Sequence, residues 1–379
     1  MSGTSASSSA TGSSEAGLSN SSVRNFPAYE SCTLCPRNCG VNRNAGIAGF
    51  CRETADLRAA VACLHFGEEP PITVWAGSGT IFLTGCNLRC AFCQNYQISQ
   101  CGYGSPISVS EFADMCLKLQ ELGAENINIV TGSHAVPAIA AGLSAARQAG
   151  LTLPVCWNSS AYESVETLEM LKGLVDIWLP DLKTLNPMIS DAVFKAADYP
   201  AVAKKAIRWM VQNTPARFTE VTGTDAQIEA AKQAGREPGE EVADGSFVKE
   251  KMLSGVIIRH LVLPGRMDDT RLVLDWLKKT ADRDDDHAAC ISLMSQYTPV
   301  SIPDGIFTPA DKAAREAALH SFSNRLLTKD EFHQIRDLIA EYDFKYLFYQ
   351  ELEQDTEWLP DFTRPQPFSY KLATPVWHC

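Results

Sequence analysis

Six short apolar runs, set apart by helical patterns, constrain the fold of this chain more than any other feature. Thr80-Ile81-Phe82-Leu83-Thr84, Ile127-Asn128-Ile129-Val130 and Leu153-Pro154-Val155-Cys156-Trp157 read as buried strands. Val175-Asp176-Ile177-Trp178-Leu179, Val256-Ile257-Ile258 and Cys290-Ile291-Ser292-Leu293 continue the series. Helix-like stretches lie near 110–122, 135–149, 163–172, 200–212 and 268–280; Ser110 can cap the first, and Gly123 and Gly150 suit helix stops. Repeated βα units need crossover connections and so a parallel sheet. The predicted class is α/β: a partial (β/α)6 TIM-like barrel with a small N-terminal Cys-rich metal-binding unit.

Polar residues gather at or just past the ends of these runs, at Cys86, Thr131 to His134, Asn158 to Ser160, Asp181 to Lys183, Arg259-His260 and Gln296-Tyr297. Loops are polar anyway, but in a barrel these positions share one mouth, where barrel enzymes do their chemistry. Around the barrel (76–300) the chain divides into a Ser-rich leader (1–28), a Cys-rich unit with its linker (29–75), and a C-terminal helical extension and tail (301–379). The leader holds ten Ser, two Thr and three Gly in its first 22 residues and is expected to be disordered. An acidic stretch at 214–250, with a helix at 225–234, is expected as a partly disordered surface insertion. The tail is expected to drape over the barrel.

The charge balance, 33 basic against 45 acidic residues, argues against a nucleic-acid partner. No run nears the roughly 18 apolar residues of a membrane span, and the leader lacks the apolar core of a secretory signal. Cytoplasmic localisation is the expectation. The 13 Cys fit metal binding in a reducing compartment better than a disulfide scaffold, because seven fall in two short segments.

The first segment is Cys86-x3-Cys90-x2-Cys93, directly after a strand. Three thiolates on one loop can bind three irons of a cubane cluster, leaving the fourth iron open to an exogenous chelate. A tetrahedral zinc site would want a fourth ligand, which Cys101 can supply. The second segment is Cys32-x2-Cys35-x3-Cys39-x11-Cys51, four thiolates among Gly40, Gly46 and Gly49. It suits a closed structural zinc, slightly favoured, or an auxiliary iron–sulfur cluster that relays electrons. Cys63, Cys116, Cys156 and Cys290 fall in apolar stretches and read as core. His65, Glu68 and Glu69 can line the mouth but read more simply as loop hydrogen-bond partners.

The stretch Gly85-Cys86-Asn87-Leu88-Arg89-Cys90-Ala91-Phe92-Cys93 resembles the radical S-adenosylmethionine superfamily, whose signature is Cys-x3-Cys-x2-Cys with an aromatic before the last Cys. More narrowly, Cys32-Thr33-Leu34-Cys35-Pro36-Arg37-Asn38-Cys39, His65-Phe66-Gly67-Glu68-Glu69-Pro70-Pro71, Arg259-His260-Leu261-Val262-Leu263-Pro264-Gly265 and Met294-Ser295-Gln296-Tyr297-Thr298-Pro299 resemble the branch labelled PflX. That branch is similar to pyruvate formate-lyase activating enzymes. The resemblance runs from about 29 to 350, excluding 214–250.

The resemblance implies a [4Fe-4S] cluster on Cys86, Cys90 and Cys93, with S-adenosylmethionine chelated by its open iron and Phe92 beside the adenine. It implies reductive cleavage to a 5′-deoxyadenosyl radical that abstracts hydrogen from a protein or small-molecule substrate, a protein glycine in the activating enzymes. A reductant such as flavodoxin or ferredoxin is implied as partner. The turn Thr131-Gly132-Ser133-His134 stands where activating enzymes carry a Gly-Gly-Glu turn, which makes Thr131 and Ser133 candidates for the methionine amine. Lys183, in Asp181-Leu182-Lys183, and Arg259 correspond to cations near the methionine carboxylate; an ion pair at the rim is the plain alternative. Asn158 is a candidate for ribose or substrate. A different class of function, a non-catalytic zinc-binding interaction protein, is the competing reading.

Overall fold

The structure is a computed structural model that describes residues 25–352 and 358–379. The expected leader lies outside the described residues as far as position 24. The Cys-rich segment carries only two short 3-10 turns, Pro27–Tyr29 and Arg43–Ala45. It leads to β1 (Leu57–His65), α1 (Pro70–Thr73), β2 (Ser78–Leu83), α2 (Tyr96–Ser99), β3 (Ser105–Ile107) and α3 (Val109–Glu121). Next come β4 (Ile127–Val130), α4 (Val136–Gln148), β5 (Val155–Ser159), α5 (Val165–Glu169), β6 (Ile177–Pro180), α6 (Pro187–Phe194) and α7 (Tyr199–Asn213). The remainder is β7 (Arg217–Thr222), α8 (Asp225–Gln233), β8 (Glu240–Glu241), β9 (Phe247–Leu261), α9 (Met267–Thr280), β10 (Cys290–Met294), α10 (Pro309–Leu319), α11 (Lys329–Tyr342), β11 (Leu347–Tyr349) and β12 (Ala373–His378).

The six strands expected from the apolar runs are β2, β4, β5, β6, β9 and β10. They pair in parallel in that order, and β11 adds a seventh. β2, β4, β5 and β6 are buried along their whole length. That is why they read as continuous apolar runs rather than alternating ones. Antiparallel β1 and β12 extend the sheet beyond β2, so the mostly parallel sheet runs from β11 to β12 as an open path consistent with a partial barrel. Helix starts follow local chemistry: Ser108 closes a capping box with Glu111 on α3, and Asn186 and Thr328 accept from the first turns of α6 and α11.

One end of the barrel interior is apolar. Ile72 of α1 meets Cys156, Ile177, Leu179, Met252, Ile257 and Cys290 there. Cys156, Cys290, Cys63 and Cys116 therefore pack as core residues.

The stretch 214–250 departs from the partial disorder expected of it. β7 pairs antiparallel with the outer half of β9, and α8 fills the connection. Trp75 anchors this ribbon by donating its indole N–H to the Val221 carbonyl at 2.9 Å. Among the described residues no helix is long and apolar enough to cross a membrane.

Candidate active site

The loop after β2 turns sharply because Gly85 sits at φ +86° and Arg89 at φ 54°, in left-handed backbone that glycine adopts without strain. This turn carries Cys86, Cys90 and Cys93 to one cavity of about 350 Å³ at the mouth. Phe92, Thr131, Asn158, Asp181, Lys183, Arg259 and Gln296 line the same cavity, so six distant sequence segments converge as the strand-end pattern predicts. A second hollow of about 530 Å³ lies outside the barrel beside α5, and Cys35 is the one predicted site residue that lines it.

The cysteine loop is furnished for sulfur. Cys86 Sγ accepts the backbone N–H groups of Leu88 and Arg89 at 3.3 and 3.4 Å, and Cys93 Sγ lies 3.3 Å from Ser99 Oγ. Gln100 clamps the loop by donating its side-chain amide to the Cys90 carbonyl at 2.9 Å. Burial pushes the Cys93 thiol up to about 11 and the Cys90 thiol well above its usual value. Metal loading must therefore displace their protons. Phe92 packs edge-on against Phe194, Tyr297 and Phe322, which fixes the ring next to Cys93.

Across the cavity stands a closed network of charge. Asp181 accepts from Lys183 Nζ at 2.8 Å and from Arg259 Nε at 2.7 Å. Arg259 also donates from Nη1 to Glu68 at 3.1 Å and from Nη2 to the Asn158 carbonyl oxygen. Glu68 accepts from the amides of Asn128 and Asn158 on its other oxygen, at 3.1 and 3.3 Å. Burial alone would raise the Asp181 carboxyl, but Arg259 and Lys183 outweigh it and hold Asp181 below the usual carboxylate range. Burial likewise pulls Lys183 down, and Asp181 and Cys90 more than restore it. Both cations expected beside a ligand carboxylate face the cavity, and both are ion-paired.

The Thr131 turn divides. Thr131 takes φ 62°, rare for a residue with a Cβ, and lines the cavity. Ser133 is buried outside that lining, with its hydroxyl donated to Glu163 at 2.6 Å. The Trp157 indole donates to the same Glu163 oxygen at 3.3 Å, so Glu163 orients the turn from behind.

Sequence reasoning left Glu68 outside the site and did not single out Glu163. Glu68 reaches its partners across 60 residues of chain or more, and Glu163 reaches Ser133 across 30; only the position of Glu68 within a resemblance motif hinted at it. The tail was missed as a lining element: Trp358, Pro360, Phe368 and Leu372 form one wall of the cavity.

The four N-terminal Cys stay together: Cys32, Cys35 and Cys51 are buried and Cys39 half-buried. Cys39 accepts the Phe50 N–H at 3.3 Å. Burial pushes the Cys35 thiol up to about 12. Arg43, fully buried, reaches Thr54 and His134 carbonyls and lies 4.2 Å from the Tyr29 ring centroid. Among the described residues no three His, Cys, Asp or Glu side chains converge on a single metal-ion position. Cys101, the fourth ligand of the zinc alternative, is exposed.

Residues 80–223 match the family model described as the Radical SAM superfamily. The match begins in β2 and includes all three mouth cysteines, and it supports assignment of the barrel to that superfamily, whose members are enzymes. The superfamily implies a [4Fe-4S] cluster and S-adenosylmethionine, and three cysteine sulfurs on one cavity fit that donor set. The chain is 27% identical over 328 residues to an uncharacterized protein of Methanocaldococcus jannaschii, covering 84% of this chain and 77% of that one. Similar solved structures include Streptococcus suis SuiB bound to S-adenosylmethionine (TM-score 0.37, 11% identity, 71% of this chain and 45% of that chain). Methylornithine synthase (PylB) is another (TM-score 0.40, 12% identity, 72% and 70%). A domain of a Bacteroides vulgatus pyruvate-formate lyase-activating enzyme is a third (TM-score 0.31, 11% identity, 57% and 91%). The chain thus spans less than half the length of SuiB.

Proposed function

We propose that this chain is a radical S-adenosylmethionine enzyme that abstracts hydrogen from a small-molecule substrate held in the barrel. The observation that carries the reading is the convergence of Cys86, Cys90 and Cys93 with Lys183, Arg259, Asn158 and Thr131 on one cavity. The cluster, when bound, supplies the electron that cleaves the sulfonium of S-adenosylmethionine to methionine and a 5′-deoxyadenosyl radical. In this reading Cys86, Cys90 and Cys93 hold the cluster, and Phe92 lies beside the adenine. Lys183 and Arg259 share a ligand carboxylate with Asp181 through charge-assisted hydrogen bonds. Thr131 offers its hydroxyl and the backbone carbonyls of its turn to the ammonium, and Asn158 serves ribose or substrate. The aromatic wall formed by Phe82, Phe368 and Trp358 keeps water and stray hydrogen donors from the reacting atoms.

A protein glycine, the substrate class of the activating enzymes, requires a mouth open to a polypeptide loop. Tail residues occupy one side of this mouth. That favours the small molecule. Anaerobic reconstitution of the full chain with iron and sulfide, followed by dithionite and S-adenosylmethionine, tests the activity. The expected result is a brown protein that forms 5′-deoxyadenosine, and loss of that product in Cys90→Ala. A colourless protein that binds zinc at the mouth and leaves S-adenosylmethionine intact sinks the proposal.

A further inference from the structure

The four-cysteine unit is docked on the ligand loop of the barrel, and the contact runs through residues adjacent to the cysteines of both. Phe50 precedes Cys51. Its ring centroid lies 3.8 Å from the Arg37 guanidinium and 5.5 Å from that of Arg89. Arg89 belongs to the barrel loop, between Cys86 and Cys90. Arg37 lies between Cys35 and Cys39, and its Nε donates to the carbonyl of Asn87, the residue after Cys86, at 2.9 Å. Arg52, which follows Cys51, donates to the Gln100 carbonyl at 3.0 Å, and the Gln100 side chain donates to the Cys90 carbonyl at 2.9 Å. Two hydrogen bonds and one glutamine thus connect the neighbour of Cys51 to the backbone of Cys90. Glu53 completes the seam by packing on Gly85, where a Cβ would collide with its side chain.

A second observation concerns the sulfurs themselves. Cys39 Sγ and Cys51 Sγ flank Gly49, lying 3.5 and 3.6 Å from the position a Gly49 Cβ would take. The four thiols are gathered in one small, largely buried unit. A tetrahedral zinc draws four sulfurs to about 2.3 Å of a single point. A polynuclear cluster gives each thiolate its own iron and so accepts a wider set.

We infer that Cys32, Cys35, Cys39 and Cys51 bind a four-iron cluster that passes single electrons to the cluster site of the barrel. The inference rests on the radical S-adenosylmethionine reading of the barrel. A structural zinc would serve anywhere on the surface, whereas a relay has to sit against the ligands it feeds, because electron transfer slows steeply with distance. In each transfer a low-potential one-electron carrier protein is oxidised by one electron and the N-terminal cluster is reduced. That cluster is then reoxidised as the barrel cluster gains the electron, and no proton or covalent bond moves.

The test starts from the Cys86→Ala/Cys90→Ala/Cys93→Ala triple variant of the full chain, reconstituted anaerobically. It is expected to keep about four irons per chain, as a four-thiolate cubane requires, with a paramagnetic signal after dithionite reduction. One zinc per chain, or no metal, overturns the inference. The single variant Cys39→Ser provides an independent check should the triple variant not fold, since it is expected to lose about half of the iron at unchanged circular dichroism. Photoreduced flavodoxin is then compared with dithionite as donor to the native chain and to Cys39→Ser. The ratio of flavodoxin-driven to dithionite-driven reduction of the barrel cluster is expected to fall at least tenfold in the variant; an unchanged ratio overturns the relay. Formation of 5′-deoxyadenosine by the native chain with dithionite is scored separately, so failure of the barrel reading is distinguishable from failure of the relay.

Discussion

Every guanidinium nitrogen of Arg259 is engaged: one on Asp181, one on Glu68 and one on Asn158. Removing the guanidinium leaves two carboxylates facing each other in a buried site, which is the costly way to break an ion-pair network. Arg259→Met is therefore expected to lower unfolding stability by about 3–5 kcal/mol, measured by urea denaturation of the full chain. Glu68→Gln, which keeps the hydrogen-bonding shape, is expected to cost less. A loss below about 1 kcal/mol for Arg259→Met, the range of exposed pairs, would mean that solvent screens the network. Lys183 and Arg259 were legible in the sequence because each lies at the end of a buried run. Glu68 was not, because its partner Arg259 lies 191 residues away and no local period links them. Ser133 shows the reverse case: its position in the turn was legible, but the direction of its hydroxyl depends on Glu163, thirty residues on.

Elements were legible where burial dictated composition. The strands covered on both faces appear as apolar runs, and their order in the chain is their order in the sheet. β1 escaped notice because it is built largely of small residues, Leu57-Arg58-Ala59-Ala60-Val61-Ala62-Cys63-Leu64-His65, and β12 because Pro375 interrupts it. β7 and the outer half of β9 form a largely solvent-facing ribbon with little apolar signal. The joint between β2 and the cysteine loop gives a prediction at this scale. Gly85 and Gly123 have nearly the same φ, +86° and +85°, but Gly123 has nothing within 4 Å of a built Cβ whereas Gly85 meets Glu53. Gly123→Ala is expected to cost only the backbone strain, on the order of 1 kcal/mol. Gly85→Ala adds the collision, so a larger fall in melting temperature and less iron bound per chain are expected. Equal effects of the two substitutions would refute the role given to that seam. A second joint pins the loop after β9 to α11. Glu331 accepts from the Gly265 N–H at 2.7 Å, the Thr328 N–H at 2.8 Å and Arg325 at 2.6 Å. Burial acts to raise its carboxyl, but Arg325 and these N–H groups prevail and hold it down at about 2. Its stabilising effect is thus complete above the unfolded value of about 4.3 and disappears as pH falls towards 2. Glu331→Gln is expected to cost about 1 kcal/mol at pH 7, as for a lost cap. The gap from the native chain should close between pH 4.5 and 2 in acid titrations of stability; a gap that persists at pH 2 would assign the effect to packing.

At the scale of the whole molecule, the segments outside the parallel strands complete the mouth. The N-terminal unit backs the cysteine loop, and the tail returns over 250 residues later to wall the cavity. Gln97, just past that loop, donates to Asp361 at 2.8 Å and accepts the Phe362 N–H at 2.8 Å. β12 then pairs with β1. The draping of the tail was legible from its place in the chain, but not that it lines the cavity, which depends on two aromatic side chains finding Phe82 of β2. Phe362 is fully buried, 5.4 Å from Phe82 and 5.7 Å from Phe368 between ring centroids. Truncating a phenylalanine in such a place costs about 3–5 kcal/mol. Because, among the described residues, the tail joins the sheet only through the pairing of β12 with β1, that loss falls first on its local opening rather than on the barrel. Lys371, exposed on the same tail, reports the opening through trypsin. When opening equilibrates faster than cleavage, the cut rate follows the open population. Phe362→Ala is then expected to speed cleavage after Lys371 by about a hundredfold or more, which is what roughly 3 kcal/mol gives, while urea unfolding of the barrel shifts much less. If cleavage stays at the native rate, pairing of β12 with β1 alone secures the tail. If barrel and tail weaken together, the aromatic cluster belongs to the main cooperative unit and the mouth cannot open by releasing the tail.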